Sequence, residues 1–489
     1  MQNSHIERKI VFNPEYRLKA DIDRVILMSS DRNRSFFRFI HPMYAVLFSI
    51  FKGNKTLPES LLEINKLFDI SEDKAMNVIS VFIENEKDVT TEYDGQYFSF
   101  PKKILLYHDD HFVREDISCN QYILDPPYNF KRIRFSIPNS VLLIVNLSCV
   151  TDCIYCYANR EKKYTPLPTD RILQIIDEAK SMQIENFDIS GGELFLHKDW
   201  QIILKSLLTN GFFPYISIKI PLTKTMIDTL YDMGIKEIQI SLDSLNPDIQ
   251  FNNLNVNGSY TEKMKKSLQY IDSKEIKMII KGTHTRYTLT PENIGEVIRF
   301  LKTLKNVKRY MISLIGVTLY KPINEYHAIK PETRQTNEIM GYINDERKNS
   351  YFEIVFDNQN INKSDICNYT EFKERSLCSG NVDGFVILPD GNVTICEELY
   401  WSEHFIIGNV AESSIRDVWK SEKAINLWNL QQNDFPDSNP CSSCQDFDNC
   451  RKGKGVCWKM VVKGYGWNNY LHLDPRCPKA PELEYDICF

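Results

Sequence analysis

Cys149-Val-Thr-Asp-Cys153-Ile-Tyr-Cys156 is the stretch on which the reading of this chain turns. Three thiols fall within eight residues, directly after an apolar run at 141–146 that reads as a buried strand. Spacings of three and two residues let one loop wrap a single object with its sulfurs turned inward. Thiolates are the soft donors that iron–sulfur clusters require. At the carboxyl end of a strand, where α/β barrels keep their chemistry, an open metal position points to catalysis rather than scaffolding. Three ligands for a cube of four irons leave one iron open. The plainer alternatives are a zinc loop or three unrelated buried cysteines.

CVTDCIYC resembles the CxxxCxΦC signature of the radical S-adenosylmethionine (SAM) enzymes, with Tyr155 in the aromatic position. The resemblance implies that Cys149, Cys153 and Cys156 hold a 4Fe–4S cluster whose open iron is chelated by SAM. It also implies reductive cleavage of SAM to a 5′-deoxyadenosyl radical that takes a hydrogen atom from the substrate. Two further segments carry the pattern. In Ser190-Gly191-Gly192-Glu193 the glycines let backbone approach a ligand and the carboxylate accepts from an ammonium; by resemblance this segment binds the methionyl amino group of SAM. In Gln239-Ile-Ser241-Leu-Asp243, Ser241 and Asp243 would face the ribose and carboxylate of SAM, and Leu314 would offer backbone to the adenine.

From residue 138 to 320 strands and helices alternate, the signature of a parallel sheet. The strands are predicted at 141–146, 186–190, 215–220, 236–241, 276–281 and 309–314, the helices at 170–182, 198–208, 224–233, 261–272 and 291–304. Six such units match the partial (β/α)6 barrel of the radical SAM enzymes rather than a closed eightfold TIM barrel. Residues 321–366 read as a bridge.

The chain has 489 residues, 25% of them charged and 43% hydrophobic, an ordinary globular composition. A net charge of −6 provides no basic field for nucleic acid, and no apolar run reaches the ~20 residues of a membrane span. A cytoplasmic location is therefore expected. Thirteen cysteines in such a chain argue for metal rather than disulfides.

Residues 1–100 read as a separate small domain. Strands are expected at 17–20, 24–28 and 36–40, then helices at 42–51, from the capping box Thr56-Leu-Pro-Glu59, and from a Ser71 cap through Ala75, Val78, Ile79, Phe82 and Ile83. Asp94-Gly95 centres a hairpin. Three strands then three helices is a winged-helix order, but 13 Lys and Arg against 15 Asp and Glu, net −2, argue against DNA. The order is similar to the RiPP recognition element, the peptide-binding domain of enzymes that modify ribosomally made peptides. That likeness implies that a precursor peptide's leader adds as a strand to 36–40, beside the helix at 72–83. Residues 101–137 read as a linker.

Residues 367–489 hold a cysteine field: Cys378-x12-Gly391-x4-Cys396, Cys441-x2-Cys444-x5-Cys450-x6-Cys457 and Cys477, with Cys367 upstream. This resembles the SPASM extension of radical SAM maturases, although six residues precede Cys457 where three are usual. The resemblance implies two auxiliary 4Fe–4S clusters, three in all with the SAM-binding one. Cys367, Cys378, Cys396 and Cys457 would hold the nearer cluster and Cys441, Cys444, Cys450 and Cys477 the farther. A zinc ribbon of Cys441, Cys444, Cys450 and Cys457 is the alternative. Glu397 matches the place of a proton-accepting carboxylate in sulfatase-activating relatives.

Together these features predict a SAM-dependent enzyme that cross-links a ribosomal precursor peptide, through a thioether or a carbon–carbon bond, with flavodoxin or ferredoxin as reductant. The rivals are a formylglycine-type sulfatase maturase, a peptide epimerase, and a non-catalytic peptide-binding or electron-transfer protein.

Overall fold

The structure, a computed structural model, describes residues 8–30, 36–108, 113–357 and 369–483. Two units make up the chain, residues 1–137 and 138–489.

The first unit runs β1 (Lys9–Phe12), β2 (Tyr16–Ala20), β3 (Val25–Ser29), β4 (Phe37–Ile40), α1 (Pro42–Phe48), β5 (Lys52–Thr56), α2 (Leu57–Phe68), α3 (Glu72–Ile79), β6 (Val89–Tyr93), β7 (Gln96–Phe100) and β8 (Leu105–His108). The expected three strands form the antiparallel sheet β2-β3-β4. At the start of α2 the Thr56 backbone N–H donates to Glu59 Oε2 at 2.8 Å, and Ser71 Oγ caps α3 by accepting from Lys74 N. Asp94 and Gly95 both take positive φ, which the two-residue turn between β6 and β7 requires. One expectation is corrected: Val78 faces outward at 39% exposure, while Ala75, Ile79 and Phe82 are buried. Among the named strands β4 is hydrogen-bonded to β3 alone, so its outer edge has no ladder partner among the described residues.

The segment expected as a linker belongs to this unit. β8 pairs with β1, and Ile117 and Tyr122 are buried in the same core as Phe48 and Phe100. Residues 129–137 are tied to the sheet by charge. Arg24, fully buried, donates to Asp21 Oδ2 at 3.0 Å and to the carbonyls of Asn129 and Arg134, while Asp21 Oδ1 accepts from the amides of Ser136 and Ile137 at 2.7 and 3.0 Å. The arginine and the aspartate lie more than 100 residues from the backbone they hold, and local patterning does not register such a tie.

The second unit runs β9 (Ser140–Ile144), α4 (Thr169–Ser181), β10 (Asn186–Ser190), α5 (Trp200–Thr209), β11 (Ser217–Ile218), α6 (Lys224–Asp232), β12 (Glu237–Ser241), α7 (Pro247–Leu254), α8 (Ser259–Ser273), β13 (Lys277–His284), α9 (Pro291–Leu301), β14 (Val307–Leu314), α10 (Ile323–Ile329), α11 (Thr333–Arg347) and β15 (Glu353–Asp357). All six predicted strands are present. They lie in two parallel runs, β10-β9 and β11-β12-β13-β14-β15, spanned by the Tyr215 amide donating to Asp188 Oδ1. The helices form for the expected reason. In α4 the apolar positions Ile172, Ile175, Ile176 and Ala179 recur at helical spacing and are all buried, each large one contributing about 1.5–3 kcal/mol. The stretch expected as a bridge holds two helices and a seventh parallel strand, β15. Its sequence, Glu-Ile-Val-Phe-Asp, buries only Ile354 fully and so lacks the continuous apolar signal of a central strand.

Beyond it come α12 (Tyr369–Glu374), β16 (Gly384–Ile387), β17 (Asn392–Thr394), β18 (Ile406–Asn409), α13 (Ile415–Trp419), α14 (Glu422–Trp428) and α15 (Trp458–Tyr465). The predicted hairpin around Asp390-Gly391 is β16–β17, and β16 pairs in parallel with β9. The carboxy-terminal domain thus grows directly from the barrel's first strand, and the return strand β17 carries Cys396 back beside Ser140–Leu142 at the amino end of β9. No helix among the described residues is long and apolar enough to cross a membrane.

Replacing Arg24 by Ala leaves Asp21 buried without its partner, a loss of about 3–5 kcal/mol. Hydrogen exchange at the Ser136 and Ile137 amides should then accelerate by about a hundredfold or more, with the barrel helices unaffected. Unchanged protection of residues 129–137 would show that the ion pair does not hold this segment.

Candidate active site

Every barrel strand presents its carboxyl end to one side, and the cysteine loop follows β9 there. Backbone holds this loop in place. Gly192 N donates to Asn146 O at 2.8 Å, and Asn146 Nδ2 donates to Glu193 O at 3.1 Å. A Cβ on Gly192 would fall 2.2 Å from Ser148 O, and one on Gly191 2.4 Å from Asn146 O. The two glycines are therefore demanded first by the close approach of the cysteine loop itself. Thr151, buried, sets its hydroxyl 3.1 Å from Cys149 Sγ and 3.4 Å from Cys153 Sγ.

Cys149, Cys153 and Cys156 line a cavity of about 520 Å³ together with Tyr155, Gly191, Gly192, Ser241 and Leu314. Gln239 Nε2 donates to Ser241 Oγ at 3.1 Å. Glu193 lies just beneath the wall, 2% exposed, and its carboxylate accepts from the amides of Phe195 and Lys219 at 3.3 and 3.0 Å. Burial pushes its carboxyl up to about 7 in spite of those two donors.

Asp243 departs from expectation. It is fully buried, off the cavity wall, with its carboxylate taken up by protein. Lys219 Nζ lies 3.1 Å from Oδ2, the Thr283 amide donates to Oδ1 at 2.9 Å, and Tyr155 Oη donates to Oδ2. Lys219 Nζ also donates to Tyr155 Oη at 2.7 Å. A lysine, a tyrosine and an aspartate thus tie the cysteine loop to β11 and β12, and Asp243 serves this tie rather than a ligand contact. Lys219 was missed from sequence. Its only signal is a charge inside the apolar strand Ile216-Ser-Ile-Lys-Ile220. His284 is also buried off the wall, its imidazole pushed down to about 4 by burial.

From the carboxy-terminal domain, Glu398, Lys459 and Lys463 reach the same cavity. Glu398 accepts from both lysines, Lys463 at 2.5 Å, and their charges hold its carboxyl below the usual range despite burial. Glu397 points elsewhere. It lines a second cavity of about 370 Å³ with Cys378, Cys396 and Cys457, and its Oε2 lies 3.5 Å from Tyr157 Oη. Burial, then the neighbouring Glu398, raises its carboxyl.

The remaining described cysteines of this domain fall around two further cavities. Cys378, Cys396 and Cys457 share that second cavity, and Cys441, Cys444, Cys450 and Cys477 line a third. Cys457 therefore does not join Cys441, Cys444 and Cys450, as a zinc ribbon would require. Cys367 lies outside the described residues. Among the described residues no group of three or more His, Cys, Asp or Glu converges on a single ion. The thiols stand around cavities, an arrangement that fits polynuclear clusters. Burial raises the Cys378 and Cys396 thiols to about 11 and about 12; bound iron offsets that cost by holding them as thiolates.

This architecture resembles a partial radical SAM barrel followed by a SPASM domain. Residues 143–304 match the profile of the Radical SAM superfamily, and residues 378–445 that of the SPASM iron-sulfur cluster-binding domain. These domains imply binding of a 4Fe–4S cluster and SAM. In sequence, the chain is 21% identical over 356 residues to the PqqA peptide cyclase of Ruegeria pomeroyi, covering 71% of this chain and 89% of that protein. It is 21% identical over 333 residues to the mycofactocin maturase MftC of Mycobacterium tuberculosis, covering 68% and 80%. In structure, it resembles Streptococcus suis SuiB bound to S-adenosylmethionine, with TM-score 0.62, 15% identity, and 96% and 98% of the two chains covered. SuiB bound to its precursor peptide SuiA gives TM-score 0.60 and 16% identity over 95% and 98%.

Gly192→Ala should displace the cysteine loop at a cost of about 1–3 kcal/mol. Anaerobic reconstitution should then recover one cluster's iron less per chain, with the other sites filled. Full iron content in this variant would show that the close approach is not what holds the loop.

Proposed function

We propose that this protein is a radical SAM enzyme that modifies a ribosomally synthesised precursor peptide by an intramolecular thioether or carbon–carbon cross-link. The observation that carries this reading is the three-cysteine cavity on the barrel rim, in one chain with two further cysteine-lined cavities. Likeness to a peptide cyclase and a maturase, each aligned over most of its length, supports a peptide substrate. When bound, the cluster and SAM supply a 5′-deoxyadenosyl radical able to abstract a hydrogen atom.

In this reading Cys149, Cys153 and Cys156 hold the SAM-binding cluster, and the Lys219–Tyr155–Asp243 tie keeps their loop on the barrel. Glu193 accepts from the SAM ammonium, the Gly191 and Gly192 backbone leaves room for it, and Ser241 and Leu314 face the nucleoside. Cys378, Cys396 and Cys457, with Cys367, hold one auxiliary cluster, and Cys441, Cys444, Cys450 and Cys477 the other, three clusters in total. A cross-link must shed a second electron and an epimerisation need not, so two auxiliary sites favour the cross-link. Glu397 lies outside the cysteine-loop cavity but within 3.5 Å of Tyr157 Oη on its wall, and through that edge it receives the substrate proton.

The leader docks on the first unit as a strand added to β4. Support comes from the open edge of β4 and from Val78 and Val81, exposed on α3 and the turn after it. Docking raises the effective concentration of the segment to be modified. A flavodoxin or ferredoxin serves as reductant.

The direct test is anaerobic co-expression with whichever short open reading frames are encoded alongside, read by mass spectrometry. A cross-link gives a loss of two hydrogens in a single intact peptide. An unchanged mass despite SAM cleavage would remove the reading. Glu397→Gln should leave 5′-deoxyadenosine formation intact while slowing product by about 10²-fold or more, the usual weight of a proton-transfer group. An unaltered product rate would dispose of that role.

SAM affinity carries a pH signature. A carboxyl raised to about 7 is neutral below that pH and anionic above it, and only the anion accepts from an ammonium. Binding should therefore tighten about tenfold from pH 6 to pH 8, and Glu193→Gln should flatten the profile. A flat wild-type profile would count against Glu193 as the ammonium acceptor.

A further inference from the structure

The three cysteine-lined cavities treat negative charge differently. Around Cys378, Cys396 and Cys457 the nearby cations meet carboxylates: Lys459 and Lys463 share Glu398, Glu397 stands on the same wall, and Arg476 pairs with Asp474 at 2.8 Å. Backbone amides of Gly380, Glu398 and Met460 serve these three sulfurs.

Around Cys441, Cys444, Cys450 and Cys477 the sulfurs meet cations directly. Arg375 Nη2 donates to Cys450 Sγ at 3.1 Å, Arg451 Nη2 to Cys441 Sγ at 3.5 Å, and Lys479 Nζ stands 3.9 Å from Cys444 Sγ. Both arginines are buried, at 9% and 8% exposure. Among the described residues neither has a carboxylate partner. Arg375 Nη1 and Nη2 serve the carbonyls of Phe372 and Gly455, and Arg451 Nη2 those of Leu471 and His472. Arg375 Nε and Arg451 Nε and Nη1 have no partner among the described residues.

Two buried guanidinium charges without a counter-ion are costly unless an anion completes them. The four thiols provide it. Four thiolates outweigh the positive charge of an oxidised four-iron core, leaving a net charge of about −2, which two guanidinium groups match. Charged donors on cluster sulfurs favour the more negative, reduced state and so raise the reduction potential.

We propose that Arg375 and Arg451 are the buried counter-ions of the Cys441/Cys444/Cys450/Cys477 cluster and hold its reduction potential above that of the Cys378/Cys396/Cys457 cluster. This rests on the two-cluster reading given above and goes beyond it by assigning two positioning residues and an order of potentials.

The test is a potentiometric titration with EPR detection on the anaerobically reconstituted full chain, beside iron and sulfide analysis. Arg375→Met and Arg451→Met should each make one auxiliary centre harder to reduce. Its reduced-to-oxidised ratio at fixed potential should fall at least tenfold, about 59 mV for a one-electron couple. The centre that moves should be the higher of the two auxiliary centres in the wild type, the other signals should stay, and Arg451→Lys should recover most of the shift. Iron lost from the Met variants but kept by Arg451→Lys supports the same conclusion, since only charge separates them. Full iron with unmoved midpoints overturns the proposal, as does equal iron loss from Met and Lys variants. Movement of the lower-potential auxiliary centre refutes the ordering. If Cys444→Ser leaves the iron content of the wild type unchanged, the four-cysteine reading itself falls, a failure distinct from that of the arginines.

Discussion

Contact between two backbones, with no side chain between them, governs this molecule. The loop that carries Cys149, Cys153 and Cys156 lies against the Ser190–Glu193 turn so closely that a single methyl group on Gly192 would enter Ser148 O. The hydrogen bond from Gly192 N to Asn146 O fixes the loop's height on the barrel rim, and the side chain of Asn146 fixes the turn in return. Pairing of β9 and β10 brings those two loops together, because the strands are short, run parallel and end side by side at Ile144 and Ser190. A glycine pair that reads in sequence as room for a ligand is thus also room for the ligand's own cage.

The same first strand explains how the carboxy-terminal domain reaches the barrel. β16 continues the sheet beside β9, and after the turn at Asp390-Gly391 the return strand sets Cys396 beside Ser140–Leu142 at the amino end of β9, while Glu398 reaches the cavity of the cysteine loop. From there Glu398 meets Lys459 and Lys463 of α15, which reach the same cavity as the cysteine loop. Sheet pairing at one edge therefore places three cysteine-lined cavities in one unit without a long connecting arm.

Much of this was legible in the chain before any coordinates. The cysteine spacings, the alternation of apolar strands with amphipathic helices and the capping signals at Thr56 and Ser71 are local features, and local patterning reads them well. What escaped was long-range. The tie of residues 129–137 to Asp21 and Arg24, the addition of β15 to the sheet, and the capture of Asp243 by Lys219 and Tyr155 each join residues far apart in sequence. None leaves more than a single displaced charge as its trace. Asp243 is the instructive case: a carboxylate at a strand end looks like a ligand-binding group until the lysine at the end of the preceding strand is seen to occupy it. The sorting of seven carboxy-terminal cysteines into two cavities was likewise carried by resemblance and not by spacing, because Cys457 and Cys477 cross over one another in the chain.

Burying sulfur as thiolate is the shared problem at all three cysteine cavities, and the chain solves it in three ways. At the barrel rim the cation, Lys219, is already shared with Asp243 and Tyr155. At the second cavity the cations face carboxylates, Lys459 sharing Glu398 with Lys463, and backbone amides reach the sulfurs. At the third the arginines have no carboxylate and turn to the sulfurs themselves. Electrostatics inside a low-dielectric interior makes these choices unequal. A guanidinium at hydrogen-bond distance from a sulfur acts on the whole charge of whatever the sulfurs hold, whereas a matched ion pair at similar distance presents little more than a dipole. Differences in redox behaviour among otherwise similar thiol sites then follow from which residues surround them, and a domain with nearly identical ligands can carry centres of distinct potential without altering a single ligand.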